Sequence, residues 1–225
     1  MTSDELLELF RNDVTDIEPD YLWSDAEAWN YMDDAHKTFV RLTGGIADST
    51  SALTQVPIVT GEATARVSPL ILKFRTAYLL SNGARLRVMN DQDLPDAASA
   101  DYGARWTSMN PNMPGTVEAI VVGVERGLVR WVRVPMADDT CQLSVYRMPL
   151  EAVTTGYEFP EIGEEHVVNL LYWMKYRAYG KQDAETFDRG RRDENKKLFE
   201  EYCRVTKAEW ERYKSKVHVV AYGGL

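Results

Sequence analysis

The sequence predicts an α+β fold, with a helical bundle formed by N- and C-terminal helices and an inserted antiparallel β domain. Three observations carry that expectation. Two capping boxes open helical stripes in the first 45 residues, residues 53–150 alternate at the period of strands, and helical spacing returns near residue 160. The bundle would take residues 1–45 and 160–215 and the β domain residues 53–150. A long loop over 91–115 and a tail over 217–225 would complete the chain.

The first helix starts at Thr2-Ser3-Asp4-Glu5, where Thr2 is placed to accept from the Glu5 N–H while Glu5 reaches back to the Thr2 N–H. Leu6, Leu9, Phe10 and Ile17 follow at helical spacing, and Glu18-Pro19 is the expected end. Ser24 and Glu27 form a second box. Trp29, Met32, His36 and Phe39 make its apolar stripe, which Gly44-Gly45 stops.

Strand signals follow. Ala77–Ser81 and Ala84–Val88 flank Asn82-Gly83, the dipeptide that favours the two positive φ angles of a type I′ hairpin turn. Ala84, Leu86 and Val88 alternate with Arg85 and Arg87, which predicts one buried and one solvated face. Residues 117–124 and 128–134 make a second hairpin around Glu125-Arg126-Gly127. Cys141, Leu143 and Val145 alternate with Gln142 and Ser144 in a further strand. Residues 91–115 are rich in Asp, Asn, Pro, Gly and Ser, and a loop of that length usually serves a function or a partner.

In the last third, Val167, Leu170, Leu171, Met174 and Ala178 share one face of a helix ending near Gly180. Asp183 is the expected cap of a long final helix carrying Phe187, Leu198, Phe199, Tyr202, Val205, Trp210 and Tyr213. Its charges alternate in sign, as on a solvated helix. Residues 217–225 are apolar, hold two glycines and have no helical period.

Composition narrows the function. An apolar fraction of 44% and a charged fraction of 27% describe an ordinary globular chain and not a disordered one. No apolar run approaches the ~20 residues of a membrane span, and the acidic start Met1-Thr2-Ser3-Asp4-Glu5 is unlike a signal peptide. The chain is therefore expected to be made in the cytoplasm and to have no membrane partner. Cys141 and Cys203 match no CxxC spacing and read as buried small hydrophobes. A net charge of −9 opposes gripping phosphates, which needs a basic surface. It does not exclude a place beside DNA, since a channel that passes DNA benefits from not sticking to it.

Catalytic residues are scarce. Of three histidines, His36 lies on the apolar stripe of the second helix and is expected in the core with one nitrogen satisfied. His166 follows Glu164-Glu165, but no second His or Cys stands at metal-ligand spacing, and acids at a helix start suit the macrodipole. His218 belongs to the tail. The hydrolase elbow, the P-loop and the dinucleotide fingerprint are absent. Asp33-Asp34 is expected on a solvated helix face, and the basic cluster Arg189, Arg191, Arg192, Lys196 and Lys197 is interleaved with acids. No catalytic residue, cofactor or metal site is expected. Six Trp, twelve Tyr and eight Met in one chain point toward protein contacts, where aromatics and Met are enriched.

Several stretches together resemble the tailed-phage head-to-tail adaptor (connector) proteins. Tyr21-Leu22-Trp23-Ser24-Asp25-Ala26-Glu27 is similar to the start of that family's second helix. Leu143 to Leu150, with Arg147-Met148-Pro149, is similar to its last strand and Arg-x-Pro exit. Glu161-Ile162, His166, Leu170, Trp173, Tyr176-Arg177-Ala178-Tyr179 and Lys181 to Phe187 carry the strongest likeness, which runs from about residue 2 to residue 205. Gly163 departs from the pattern, since relatives often place a proline there.

The resemblance implies a non-enzymatic virion protein of the phage neck, assembled in the host cytoplasm. It would be one subunit of a ring, usually twelve-fold, between the portal protein and a downstream tail or nozzle protein. The ring would continue the DNA channel, with DNA only a passing duplex. Docking contacts are expected from Tyr102, Trp106 and Met109 in the long loop and from Val217, Val219, Val220, Tyr222 and Leu225 in the tail. Strand-forming, β-branched tail residues suit addition to a neighbour's sheet edge. The rival readings are a tail-completion or stopper protein of the neck, and a ligand-binding enzyme with a site between bundle and β domain.

Overall fold

The computed structural model describes residues 1–18, 20–93, 113–182 and 186–214. Contacts divide the chain into two compact units, Met1–Gly44 with Pro149–Leu225, and Gly45–Met148. The first is helical and the second is made of strands, so the chain is α+β with terminal helices.

In the helical unit, α1 (Ser3–Val14) opens on the expected box. The Thr2 hydroxyl accepts from the Glu5 N–H at 3.3 Å, and the Glu5 carboxylate accepts from the Thr2 N–H at 2.8 Å. The helix stops earlier than Glu18-Pro19, at Thr15, whose φ of 60° is left-handed. The cause is the next residue. The buried Asp16 carboxylate accepts from the N–H groups of Leu22 and Trp23 at 2.9 and 3.3 Å, which requires the chain to turn back. Leu6 and Phe10 are buried, whereas Leu9 and Ile17 are exposed. The Ser24–Glu27 box opens α2 (Asp25–Thr43), which buries Met32, His36 and Phe39 and ends at left-handed Gly44.

The expected third helix is two pieces, α3 (Glu164–Val167) and α4 (Leu170–Tyr179). Asn169 and Leu171 donate their N–H groups three residues back, to His166 and Val168, so the chain tightens between the pieces. The apolar face survives the break, because Val167, Leu170, Leu171, Met174 and Ala178 are all buried. The last helix, α5 (Arg189–Lys214), starts later than an Asp183 cap would place it, and Asp183 lies outside the described residues. Asp188 does the capping, accepting from the Arg191 N–H at 3.0 Å. Phe187 precedes the helix and is exposed. The buried row of α5 is Phe199, Cys203 and Thr206, while Leu198, Val205 and Tyr213 stay exposed. Helix α4 packs on α1, α2 and α5, and α5 also meets α2.

Strands in the other unit begin before residue 53. They are β1 (Ile46–Asp48), β2 (Gln55–Ile58), β3 (Thr64–Arg66), β4 (Ile71–Leu79), β5 (Arg85–Asn90), β6 (Pro114–Gly115), β7 (Ala119–Glu125), β8 (Leu128–Val132), β9 (Val134–Pro135) and β10 (Asp139–Arg147). The main sheet runs β1-β10-β4-β5-β7-β8-β3, with β2 also on β10. It curls around a main core, to which β2 contributes Val56 and Ile58, β10 Cys141, Leu143 and Val145, and β7 and β8 Ile120, Val129 and Trp131. Burial pushes the Cys141 and Cys203 thiols up to about 12, so both act as small hydrophobes.

The sheet is antiparallel-rich but not wholly antiparallel. β5 and β7 pair in parallel, Arg87 opposite Ala119, and so do β6 and β9. Parallel neighbours need a long crossover, and residues 91–118 are that connection between β5 and β7. The expected 91–115 loop is therefore trimmed at both ends, by a short 3-10 turn at Asp91–Asp93 and by β6. The β4–β5 hairpin exists, with Tyr78 opposite Arg85, but its turn is not type I′. Only Gly83 has positive φ there. Asn82 uses its side-chain oxygen to accept from the Ala84 N–H at 2.8 Å, and the Gly83 N–H reaches the Leu79 carbonyl, closing a wider loop.

Asp48 of β1 and Arg147 of β10 form an ion pair with side chains 4% and 8% exposed. The same carboxylate takes the N–H groups of Thr50 and Ser51 and the Ser51 hydroxyl, while Arg147 also donates to the Met148 carbonyl at 3.1 Å. Burial raises the Asp48 pKa, but the hydrogen bonds from Arg147, Ser51 and Thr50 outweigh it and hold the group well below the usual carboxylate range. Asp48→Ala should cost about 3–5 kcal/mol, because it strands a buried guanidinium. With the folded-state pKa depressed, the stabilisation is full above the usual carboxylate range and lost as pH falls through the lower folded value. Chemical denaturation across acidic pH should show that loss in the wild type and not in Asp48→Ala.

Candidate functional site

The ionisable residues that suggest chemistry are tied into the fold. Asp33 accepts from the Val153 N–H at 3.1 Å and from Lys37, four residues on. Asp34 accepts from Trp173 Nε1 at 2.7 Å and from Arg177 at 2.8 Å. These two carboxylates join α2 to α4 and to the chain before α3, and are not the freely solvated pair the sequence suggests. His166 is buried beside Phe39 and Trp210. Its Nδ1 is 2.8 Å from the Tyr202 hydroxyl and its Nε2 is 3.7 Å from Glu165. Among the described residues no three His, Cys, Asp or Glu side chains gather as metal ligands would, and no helix is long and apolar enough to cross a membrane. Basic residues of α5 meet acids, as in Arg189–Asp193, Arg192–Asp193 and Lys196–Glu200.

His36 departs from expectation. It is fully buried beside Tyr157 and Phe159, at ring distances of 5.9 and 5.4 Å, and neither of its nitrogens meets a hydrogen-bond partner among the described residues. Burial lowers its pKa to about 4, against a smaller upward pull from Asp33. The ring is a neutral packing element.

Two of the segments that carry the family resemblance, residues 21–27 and the stretch around the end of α4, come together within the helical unit. Trp23 Nε1 donates to the Ala178 carbonyl at 3.0 Å, and the indole packs edge-on to Phe10 and Tyr179. Lys181 donates to the Leu22 carbonyl at 3.3 Å and pairs with Glu27 at 2.9 Å. Arg11 binds Asp16 at 2.9 Å, Asp25 at 2.5 Å and the Trp23 carbonyl at 3.2 Å, with its guanidinium over the Tyr21 ring. Residues 21–27 are thus fastened to α1 on one side and to the end of α4 on the other. Sequence reasoning missed Arg11, Asp16 and Asp48, because a lone charge in sequence carries no sign of burial.

α5 presents Leu198, Val205 and Tyr213, exposed by 45%, 43% and 92%, within about a quarter turn of each other and flanking the buried row. The expected docking residues Tyr102, Trp106, Met109, Val217, Val219, Val220, Tyr222 and Leu225 lie outside the described residues, as does His218.

His36 yields a pH-dependent outcome. Its folded pKa lies below the unfolded value of 6.5, so the unfolded chain binds the extra proton and stability falls as pH drops from 6.5 toward 4. Relative to wild type, His36→Met should gain about 2 kcal/mol between pH 7.5 and pH 5. Urea melts at the two pH values measure it. An unchanged difference would show that the ring does not stay neutral.

The pattern of the SU10 adaptor protein family matches residues 1–218. No curated protein matches the chain. The match continues past residue 205, where the likeness of individual motifs ends, and so takes in the whole of α5. It also covers the fastening of residues 21–27 to α1 and α4, the Arg147 exit from the last strand and the segment that closes on α5. The chain therefore belongs to the SU10 adaptor protein family, a family of phage adaptors.

Proposed function

We propose that this chain acts by binding alone, as one subunit of a ring in the phage neck between portal and tail, with DNA passing through its centre. The ring, usually twelve-fold in the proteins it resembles, assembles in the host cytoplasm, docks on the portal and receives the next tail or nozzle protein. The observation that carries this reading is the exposed apolar stripe of α5, Leu198, Val205 and Tyr213, on a helix whose adjacent face is already buried. Such a stripe costs solubility in a free monomer and gains from burial against a partner. The ties around Asp33, Asp34, Arg11 and His166 agree with it, since they use charge for cohesion.

In this reading the α5 stripe meets the portal. The Tyr102, Trp106 and Met109 stretch and the 217–225 segment add contacts to neighbouring subunits or to tail proteins, and the 1–45 with 160–215 and 53–150 portions act as separate parts. Burying a Leu or Val side chain is worth roughly 1.5–3 kcal/mol. Replacing Leu198 and Val205 together by Asp should therefore weaken portal binding at least tenfold while leaving the melting temperature of the free protein nearly unchanged. Sedimentation of the protein mixed with its portal reads this directly, and undiminished binding would rule the stripe out. Deleting residues 217–225 should leave helix content and melting temperature intact and reduce the yield of portal-bound rings. A destabilised monomer that still assembles would refute a docking role for that segment.

A further inference from the structure

The outward face of the β4–β5 hairpin is basic. Arg75, Arg85 and Arg87 line one hollow of about 620 Å³ together with Thr76, Val88 and Met89, and among the described residues no acidic side chain lines it. All three arginines are exposed. Arg75 has its guanidinium 5.0 Å from the Tyr146 ring, and none of the three pairs with a carboxylate among the described residues. Three uncompensated guanidinium groups in one hollow repel each other, and that repulsion is relieved when an anionic surface closes over them.

The same chain carries such a surface. Residues 45–148 hold ten basic and ten acidic residues, which cancel, so the whole net charge of −9 belongs to the helical unit. Within that unit the acids concentrate where no lysine or arginine occurs, in residues 1–10 and 149–165. Those two stretches are joined. The Ser3 N–H reaches the Tyr157 carbonyl at 2.8 Å, and the Asp4 carboxylate accepts from the Gly156 N–H at 2.9 Å. Glu8 follows one turn after Asp4 on α1, and Glu158 and Glu164 follow Gly156. Among the described residues, the cation that meets them is the N-terminal amine, on Glu164 at 3.0 Å.

We infer that the Arg75–Arg85–Arg87 hollow of one copy receives the acidic surface built from the start of α1 and residues 156–165 of a second copy. The two patches differ, so the contact is head-to-tail, the kind that closes into a ring when its rotation closes. The inference rests on the ring reading above and identifies what holds neighbours together in it. An exposed guanidinium cluster also suits phosphate, and duplex DNA is the competing occupant.

The test uses full-length chains and the portal. One variant carries Arg85→Glu with Arg87→Glu, the other Glu8→Lys with Glu158→Lys. All four positions are exposed, and folding is checked by circular dichroism. Each variant alone should lose at least about tenfold in ring yield by electron microscopy. An equal mixture should restore it, because an alternating ring again faces opposite charges at every contact. Wild-type rings should loosen at high salt. Charge-swapped chains that assemble as well as wild type overturn this contact and leave the adaptor reading standing, as does a mixture that fails to recover. Rings unchanged by Arg85→Glu with Arg87→Glu, together with lost binding of a duplex DNA fragment, assign the hollow to phosphate instead. Wild-type chains that never form a ring on the portal remove the ring reading, and this contact with it.

Discussion

The β unit depends on the ion pair between Asp48 and Arg147. Asp48 stands in the first strand and Arg147 ends the last, ninety-nine residues later, and both are buried where the chain enters and leaves the unit. A buried pair of this kind is not a large source of net stability, since desolvation offsets the attraction. It does forbid alternatives. A register of β1 on β10 other than Ile46 opposite Arg147 separates the two buried charges from each other. Gly45 adds a steric condition. Its φ is +91°, and a Cβ there would lie 3.0 Å from Tyr146 Cβ, so only glycine lets the chain leave α2 and pass this close to β10.

The helical unit uses the same device with different residues. Asp16 turns the chain after α1 by collecting two backbone N–H groups and Arg11, and Arg11 in turn holds Asp25 and the Trp23 carbonyl. Asp34 gathers Trp173 and Arg177 from α4. Polar ties of this kind define geometry more sharply than apolar contact does, because a hydrogen bond fails within a fraction of an ångström and a few tens of degrees. A subunit that must present the same surface at every position of an assembly gains from such definition.

Charge is unevenly distributed for a chain of modest size. One unit is electrically neutral overall but bears an uncompensated arginine hollow, and the other carries all of the net charge. An adaptor works through surfaces, and surfaces of opposite sign select orientation and partner more than they add affinity. The apolar stripe of α5 and the basic hollow of β4–β5 thus suit different tasks, burial against one partner and steering of another.

Much was legible in sequence because it is local. Both capping boxes, the Gly44 stop, the β10 alternation and the apolar face through Val167, Leu170, Met174 and Ala178 each rest on residues a few positions apart, where backbone geometry makes the pattern. The family motifs were legible for the same reason, as short strings in order. The misreadings all involved a distant or unexpected partner. α1 ends at Thr15 because Asp16 reaches Leu22 and Trp23, the Asn82-Gly83 turn widens to bond Ala84, and β7 lies parallel to β5 because a long connection permits it. Neither His36 nitrogen finds a partner among the described residues, a fact of the rings around it and not of its helix. Periodicity can say which face of an element is apolar, but not what meets it. The pairing of Asp48 with Arg147 and of Asp34 with Trp173 was decided only when the folded chain brought residues 99 and 139 positions apart within hydrogen-bond reach.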